Sequence, residues 1–250
     1  MSGHSKWSQI KRKKGAADSK KGATFSKLSR EIHVAVREGG PNIDGNVRLR
    51  IAIERAKREG MPNDTIDRAV TKASGAGADA ENWETVFYEG YGPGGVAILA
   101  IALTDNRNRT ASEVRYAFSR HGGTLGETGC VAWQFDTVGQ IVIAANGTSP
   151  DDVALMAIDA GATDVEAGSD GETVVTTDPA ELSNVAEKLK ADGLDVQEAD
   201  LQRLPQTTID IEPSQAGTTL KLLEALDDLD DIQEVYTNAS FPAEVESPVG

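Results

Sequence analysis

The sequence predicts a multidomain α+β protein in which a small N-terminal helical bundle precedes two α/β domains, one inserted in the other. Three observations lead to this prediction. At 250 residues the chain exceeds one typical domain. Apolar residues recur at helical spacing up to about residue 75, and strands and helices alternate after it. One complete set of alternating elements then lies between two incomplete sets, which we join as halves of a single domain.

The N-terminal region divides into an arm and three helices. Residues 1–15 have no apolar period and contain Lys-Arg-Lys-Lys, so we predict a basic flexible arm. Residues 16–78 contain three amphipathic stripes, which predict short helices that bury their faces together as a bundle. The second stripe follows Asn46, and the third starts at Asn63, predicted to be its N-cap. The first stripe consists of Phe25, Leu28, Ile32, Ala35 and Val36.

Residues 79–135 and 206–240 are predicted to form the discontinuous α/β domain. The apolar run VAILAIAL at 96–103 predicts a buried strand, preceded by a hairpin turn at 90–95. Thr110-Ala-Ser-Glu113 predicts a capping box that opens a helix. Val131–Phe135 is predicted to be the following strand. In the second half, strands at 207–211 and 232–236 flank a helix through Leu220, Leu223 and Leu226.

Residues 136–205 are predicted to form the inserted domain. A strand at 140–145 precedes Ser149-Pro-Asp-Asp152, which combines an N-cap, a proline at the first helical position and early acids. Strands near 163–167, 173–177 and 195–201 and a helix from Asp178-Pro179 complete the order β-α-β-β-α-β. That order is ferredoxin-like, so we expect two α/β ferredoxin-like domains. Residues 241–250 are predicted to be a loose tail.

The charge is divided unequally along the chain. The formal net charge is −15, but residues 1–75 hold 17 Lys and Arg against 8 Asp and Glu. Residues 76–250 hold the other 8 cations against 32 acids. Such asymmetry indicates contact with nucleic acid or a membrane surface. The alternative is a basic tail that only neutralises the acidic body.

Several classes of protein are excluded on composition. A single cysteine, Cys130, cannot form an internal disulfide and fits a reducing compartment. The three histidines lack the spacing of metal ligands, and no apolar run approaches a membrane span. There is no nucleophile elbow and no P-loop. We therefore expect a cytoplasmic, non-enzymatic protein with no catalytic residues, no metal, no cofactor and no membrane contact.

The candidate nucleic-acid contacts are mostly the cations of the arm and the first two helices. Phosphates need flexible cations in number more than in fixed geometry. Two interpretations are open for Trp7, which either stacks on a base or sugar or packs against the bundle. Two are also open for the arginines of the second helix, which either bind phosphate or form solvated pairs with glutamates. The candidates are Lys6, Trp7, Lys11, Arg12, Lys13, Lys14, Lys20, Lys21, Lys27, Arg30, Arg48, Arg50, Arg107 and Arg109.

The loop Thr104-Asp-Asn-Arg-Asn-Arg-Thr110 is the second candidate contact. It leaves the carboxyl end of a buried strand and enters a helix N-terminus, where anions bind favourably. Arg107 and Arg109 add planar charged forks suited to phosphate. The alternative is that Thr110 caps the helix and Arg107 or Arg109 pairs with local acids.

Several longer motifs are distributed along the chain: GHSKW (3–7), RLR (48–50) with Ala52-Ile53 and Ala56-Lys57, Met61-Pro62, YEGYGPGGVA (88–97), TDNRNRT (104–110), EVR.AF (113–118) and HGG.LG (121–126). These motifs resemble those of the YebC/PmpR family, which includes the mitochondrial translational activator of cytochrome c oxidase. The sequence departs from the family pattern in the loop 40–45 and at Val47.

This resemblance implies a helical N-terminal domain, two α/β domains and a nucleic-acid partner. Our leading hypothesis is a DNA-binding transcriptional regulator. The alternative is a translation factor that binds the ribosome or ribosomal RNA and assists elongation through proline-rich stretches. A DNA regulator would prefer a duplex sequence, whereas a translation factor would prefer folded RNA. The oligomeric state is left open by the sequence.

Overall fold

The computed structural model describes residue 7 and residues 21–75, 83–145, 147–168 and 171–242. It is a mixed α+β protein, which confirms the predicted fold class. The chain forms two compact units, Met1–Phe135 with Pro205–Gly250, and Asp136–Leu204. The predicted arm lies outside the described residues except for Trp7, and so does the tail after residue 242.

Seven helices and ten strands are found in the described ranges. The helices are α1 (Lys21–Gly39), α2 (Val47–Arg58), α3 (Asn63–Ser74), α4 (Arg107–Arg120), α5 (Pro150–Ala160), α6 (Leu182–Ala191) and α7 (Pro213–Asp227). The strands are β1 (Glu84–Tyr91), β2 (Ala97–Thr104), β3 (Thr124–Leu125), β4 (Phe135–Ile143), β5 (Asp164–Ala167), β6 (Thr173–Thr177), β7 (Val196–Pro205), β8 (Ile209–Asp210), β9 (Ile232–Thr237) and β10 (Ala239–Ser240). Short 3-10 turns lie at Pro93–Gly95 and Ala132–Gln134.

Helices α1, α2 and α3 pack their apolar stripes into one core, which includes Leu28, Ile32, Leu49 and Ile66. Asn46 starts α2 as predicted: its side-chain oxygen accepts from Leu49 N at 3.0 Å. Its amide also donates to Ala35 O and Gly40 O, both at 2.8 Å, and so ties the turn to α1.

The prediction that Asn63 caps α3 is wrong. Asn63 is the first residue of the helix, and Pro62 holds the cap position without a side-chain hydrogen bond. The carbonyl of Pro62 already accepts from the backbone N–H groups of Thr65 and Ile66. The fixed φ of proline suits this entry to a helix, so the helix begins one residue earlier than the polar side chain suggested.

The first unit contains a four-stranded antiparallel sheet in the order β3-β1-β2-β9. The predicted hairpin joins β1 to β2 through the 3-10 turn, where Gly94 and Gly95 have positive φ and a residue with a Cβ would be strained. Helices α4 and α7 pack on one face of the sheet, where Ile98, Phe118 and Leu223 meet in the core. The continuous apolar run of β2 is buried as predicted.

Two predicted strands of this unit differ from the structure. The prediction that Val131–Phe135 is the strand after α4 is wrong. The strand that follows α4 is β3, and Ala132–Gln134 is a 3-10 turn. Glu89 explains the difference, because its carboxylate accepts from Gly129 N, Val131 N and Ala132 N at 2.6–2.8 Å. These N–H groups therefore bond to a side chain and not to a strand. The strand predicted at 207–211 is the short β8, paired in parallel with β10.

The second unit has the predicted order β-α-β-β-α-β, with its sheet in the order β5-β6-β4-β7. Ser149 caps α5 as predicted, its Oγ accepting from Asp152 N at 3.1 Å. Helix α6 begins at Leu182, later than predicted, because Asp178 Oδ1 accepts from Ala180 N and forms a turn first. Within the described ranges, no helix is both long and apolar enough to cross a membrane.

Candidate nucleic-acid interface

The structure describes eight of the fourteen predicted contacts. Lys6, Lys11, Arg12, Lys13, Lys14 and Lys20 lie outside the described residues. Lys21 is the first residue of α1. The remaining seven occupy four places: the core of the first unit, the contact of α1 with the turn after α7, the surface of the helical bundle, and the first turn of α4.

Trp7 lies in the core of the first unit. Its side chain is buried among the residues beneath the β3-β1-β2-β9 sheet, and Nε1 donates to Val235 O at 3.0 Å. This is the packing alternative for Trp7, although its partner is the α/β core and not the helical bundle. In this arrangement the indole has no exposed ring face to offer a base.

Lys27 and Arg30 attach α1 to the acidic turn that follows α7. Lys27 Nζ donates to Asp227 O at 2.6 Å. Arg30 donates to Asp230 O, lies 3.5 Å from Asp231 Oδ1, and stacks its guanidinium 5.0 Å above the Trp83 ring. Lys27 and Arg30, which the sequence assigns to phosphate, therefore hold two parts of the first unit together.

Arg48 and Arg50 lie on the surface of the bundle. Arg48 pairs with Glu38, and both side chains are about half exposed. Arg50 Nη2 donates to Asp44 O at 3.2 Å. An exposed ion pair contributes about 0–1 kcal/mol, so this pair adds little to the stability of the bundle.

The predicted capping box at Thr110 is wrong. Helix α4 begins one turn earlier, with Asn106 as its N-cap accepting from Arg109 N at 3.1 Å. Thr110 is fully buried inside the first turns, and its hydroxyl donates to Asp231 Oδ2 at 2.7 Å. Thr104, at the end of β2, reaches the same oxygen at 3.1 Å.

Asp231 is the centre of this cluster. Its side chain is 3% exposed, and Arg109 Nη2 lies 2.7 Å from Oδ2. Burial raises the pKa of Asp231, but the hydrogen bonds from Arg109, Thr110 and Thr104 outweigh burial and bring its pKa below the ordinary aspartate value. Its backbone carbonyl also accepts from Leu103 N at 2.9 Å.

Both arginines of the 104–110 motif pair with acids. Arg109 contacts Asp105 at 2.8 Å as well as Asp231, and these two hydrogen bonds raise the pKa of Arg109 above its usual range. Arg107 Nε lies 2.8 Å from Glu84 Oε1, with both side chains well exposed. Cations at a helix N-terminus are unfavourable with its dipole, and these acids compensate for them.

Sequence reasoning did not select the outward face of α4. Arg115, Tyr116 and Arg120 are exposed there, and Tyr116 is 63% exposed. The sequence does contain a signal for this face, because α4 holds four of the eight cations among residues 76–250. Of these, only Arg107 and Arg109 were predicted as contacts, on the basis of their loop motif.

Other reactive groups in the first unit have structural partners. The carboxylate of Glu89 secures the turn 129–132, as described above. Burial, with the nearby charge of Glu89, raises the pKa of the Cys130 thiol, which disfavours the nucleophilic thiolate. Across the described ranges, no three His, Cys, Asp or Glu side chains are grouped to hold a metal ion.

Comparisons with known proteins cover nearly the whole chain. Residues 5–76 match the model of the "TACO1/YebC protein N-terminal domain", and residues 83–239 match "TACO1/YebC second and third domain". A Thermomicrobium roseum protein named "Probable transcriptional regulatory protein" is 68% identical over 249 residues, covering 100% of both chains. A Clostridium botulinum protein of the same name is 49% identical, covering 97% of this chain and 98% of that one. The crystal structure of a conserved hypothetical protein from Aquifex aeolicus superposes with a TM-score of 0.85 at 44% identity, covering 92% of this chain and 94% of that chain.

Proposed function

Because the chain belongs to the TACO1/YebC family, we propose that it is a DNA-binding transcriptional regulator that acts by binding and not by catalysis. Relatives at 68% and 49% identity carry a transcriptional regulatory name. The observation that carries the proposal is the charge partition, with a net +9 in residues 1–75 and −24 in the remainder. The acidic remainder repels phosphate, so only the basic part and isolated basic patches can face a nucleic acid.

The described cations differ in the ion pairs and hydrogen bonds that each would give up on binding a phosphate. Arg48 and Arg107 have exposed acid partners, and a phosphate replaces such a partner at a cost of about 0–1 kcal/mol. Lys27, Arg30 and Arg109 hold the carbonyls and the buried carboxylate of the turn 227–231. We therefore assign the first group to contact and the second to positioning.

The test is a titration of a labelled DNA duplex over a range of salt concentrations, beside sedimentation with ribosomes. If about six phosphates are contacted, the slope of log K against log salt is about −5. Duplex affinity that does not depend on salt contradicts the electrostatic account. Sedimentation with ribosomes without duplex binding contradicts the DNA assignment and moves the function to translation.

Deleting residues 1–15 would confuse this test, since the deletion also removes Trp7 from the core. The cleaner variant replaces Lys11, Arg12, Lys13 and Lys14 by Gln and leaves Trp7 in place. If all four contact phosphate, the slope becomes less steep by about 4. An unchanged slope in a folded variant would place the contact on other cations, with Arg48 and Arg50 next to be tested.

A further inference from the structure

Helix α4 differs in charge from the rest of residues 76–250. Residues 107–120 contain four arginines and one acid, Glu113. The rest of residues 76–250 contain four cations against 31 acids. Half of the positive charge of this acidic part of the chain is therefore concentrated on one helix of 14 residues.

The helix is oriented so that part of this charge faces outward. Val114, Ala117 and Phe118 are buried against the sheet. Arg115, Tyr116 and Arg120 are exposed, and their spacing places Tyr116 and Arg120 as i, i+4 neighbours beside Arg115. The buried face fixes the helix, so these side chains project from a rigid support.

Arg115 and Arg120 differ from the other two arginines of α4 in their contacts. Arg107 and Arg109 bind Glu84, Asp105 and Asp231. Within the described ranges, the guanidinium groups of Arg115 and Arg120 make no hydrogen bond and no ion pair. A cation in the last turn does stabilise the helix dipole, which accounts for Arg120 but not for Arg115 in the middle of the helix.

We propose that Arg115, Tyr116 and Arg120 form a second contact surface for the phosphodiester backbone of nucleic acid, separate from the basic N-terminal part. This inference rests on the proposed function. Guanidinium forks suit phosphate oxygens, and a tyrosine hydroxyl also donates to them. Because the surface is carried by a packed helix, binding orders less of the chain than binding by an arm would.

The test uses the full chain with Arg115→Gln and Arg120→Gln together. Its matched control is Lys190→Gln with Lys221→Gln, which removes the same charge from exposed positions on α6 and α7. Each protein is titrated with a DNA duplex and with an RNA hairpin over the same salt series. Thermal unfolding confirms that each variant is folded.

Loss of two phosphate contacts makes the DNA salt slope less steep by about 2 and weakens binding by about tenfold per contact near 0.1 M salt. The control pair keeps the wild-type slope. A loss with only one of the two probes identifies the backbone that α4 contacts. Wild-type slopes with both probes, or an equal loss in the control pair, overturn the proposal.

These outcomes remain separate from those of the proposed function. A wild-type protein that binds neither probe refutes both proposals. A wild-type protein that binds with a steep slope, while the Arg115 and Arg120 variant behaves identically, refutes only the α4 surface.

Discussion

Replacement of Asp231 by Asn tests whether the 104–110 motif is a structural junction. In the wild type, Asp231 Oδ2 receives Arg109 at 2.7 Å, Thr110 at 2.7 Å and Thr104 at 3.1 Å. Asn keeps the shape and one acceptor oxygen but loses the charge that Arg109 and Arg30 face. Breaking a fully buried pair costs about 3–5 kcal/mol. Because the Arg109 side chain is 44% exposed and water can solvate it, we expect about 2–3 kcal/mol after the screening of exposed charges is discounted.

The measurement is urea unfolding followed by tryptophan fluorescence. Trp7, Trp83 and Trp133 are the three tryptophans of the chain, and all belong to the first compact unit. The signal therefore reports the unit that contains Asp231. The matched control is Asp105→Asn, which removes the other carboxylate on Arg109 at a 42% exposed position and should cost less than about 1 kcal/mol.

The same variant predicts a pH dependence. The pKa of Asp231 is lower in the folded protein than its ordinary value, so its stabilisation is present above the unfolded pKa and is lost as the pH falls through the folded pKa. The stability difference between wild type and Asp231→Asn should therefore shrink as the pH falls below about 4. A difference at pH 7 as small as that of the Asp105 control, or one that stays constant down to pH 3, would refute this account of Asp231.

Three further changes have expected outcomes. Trp7→Phe leaves Val235 O without its indole donor and should cost about 1–2 kcal/mol in urea unfolding followed by circular dichroism; no loss would contradict the burial of Trp7. Glu89→Gln weakens the hydrogen bonds to the turn 129–132 and removes a charge that raises the pKa of the Cys130 thiol. Alkylation of Cys130 at pH 8 should therefore be faster than in wild type, and an equal rate would contradict this role of Glu89. Gly139→Ala puts a Cβ 2.3 Å from Thr177 Oγ1 and should destabilise the Asp136–Leu204 unit by about 1–3 kcal/mol without shifting the tryptophan transition.

Elements whose signals are local could be predicted from the sequence. Strand β2 follows from an apolar run that only a buried strand or helix can satisfy, and its length selects the strand. The starts of α2 and α5 follow from Asn46 and Ser149, which bond to N–H groups three residues away. In both cases the partner is in the same turn, so no distant residue is needed to decide the outcome.

Two of the errors arise where a distant residue competes for the same group. Thr110 stands in a capping pattern, but Asp231 takes its hydroxyl across 121 positions of sequence. The segment 131–135 has the apolar character of a strand, but Glu89 accepts the N–H groups of Val131 and Ala132 from about 40 residues away. Neither partner can be identified from local propensity, because only the sheet pairing brings them together.

Competition between phosphate and the present partner of each cation also decides which cations can contact nucleic acid. The sequence places Lys27, Arg30, Arg48 and Arg109 in one basic class. Their partners in the structure differ. Release of Arg109 from Asp231 would cost about 2–3 kcal/mol, whereas release of Arg48 from exposed Glu38 costs about 0–1 kcal/mol. A phosphate gains roughly one order of magnitude per contact near 0.1 M salt, about 1.4 kcal/mol, which exceeds the second cost but not the first. Binding should therefore leave Arg109 on Asp231. Among the cations that the structure describes, Arg48, Arg107, Arg115 and Arg120 should contribute to the salt slope, and Arg109 should not.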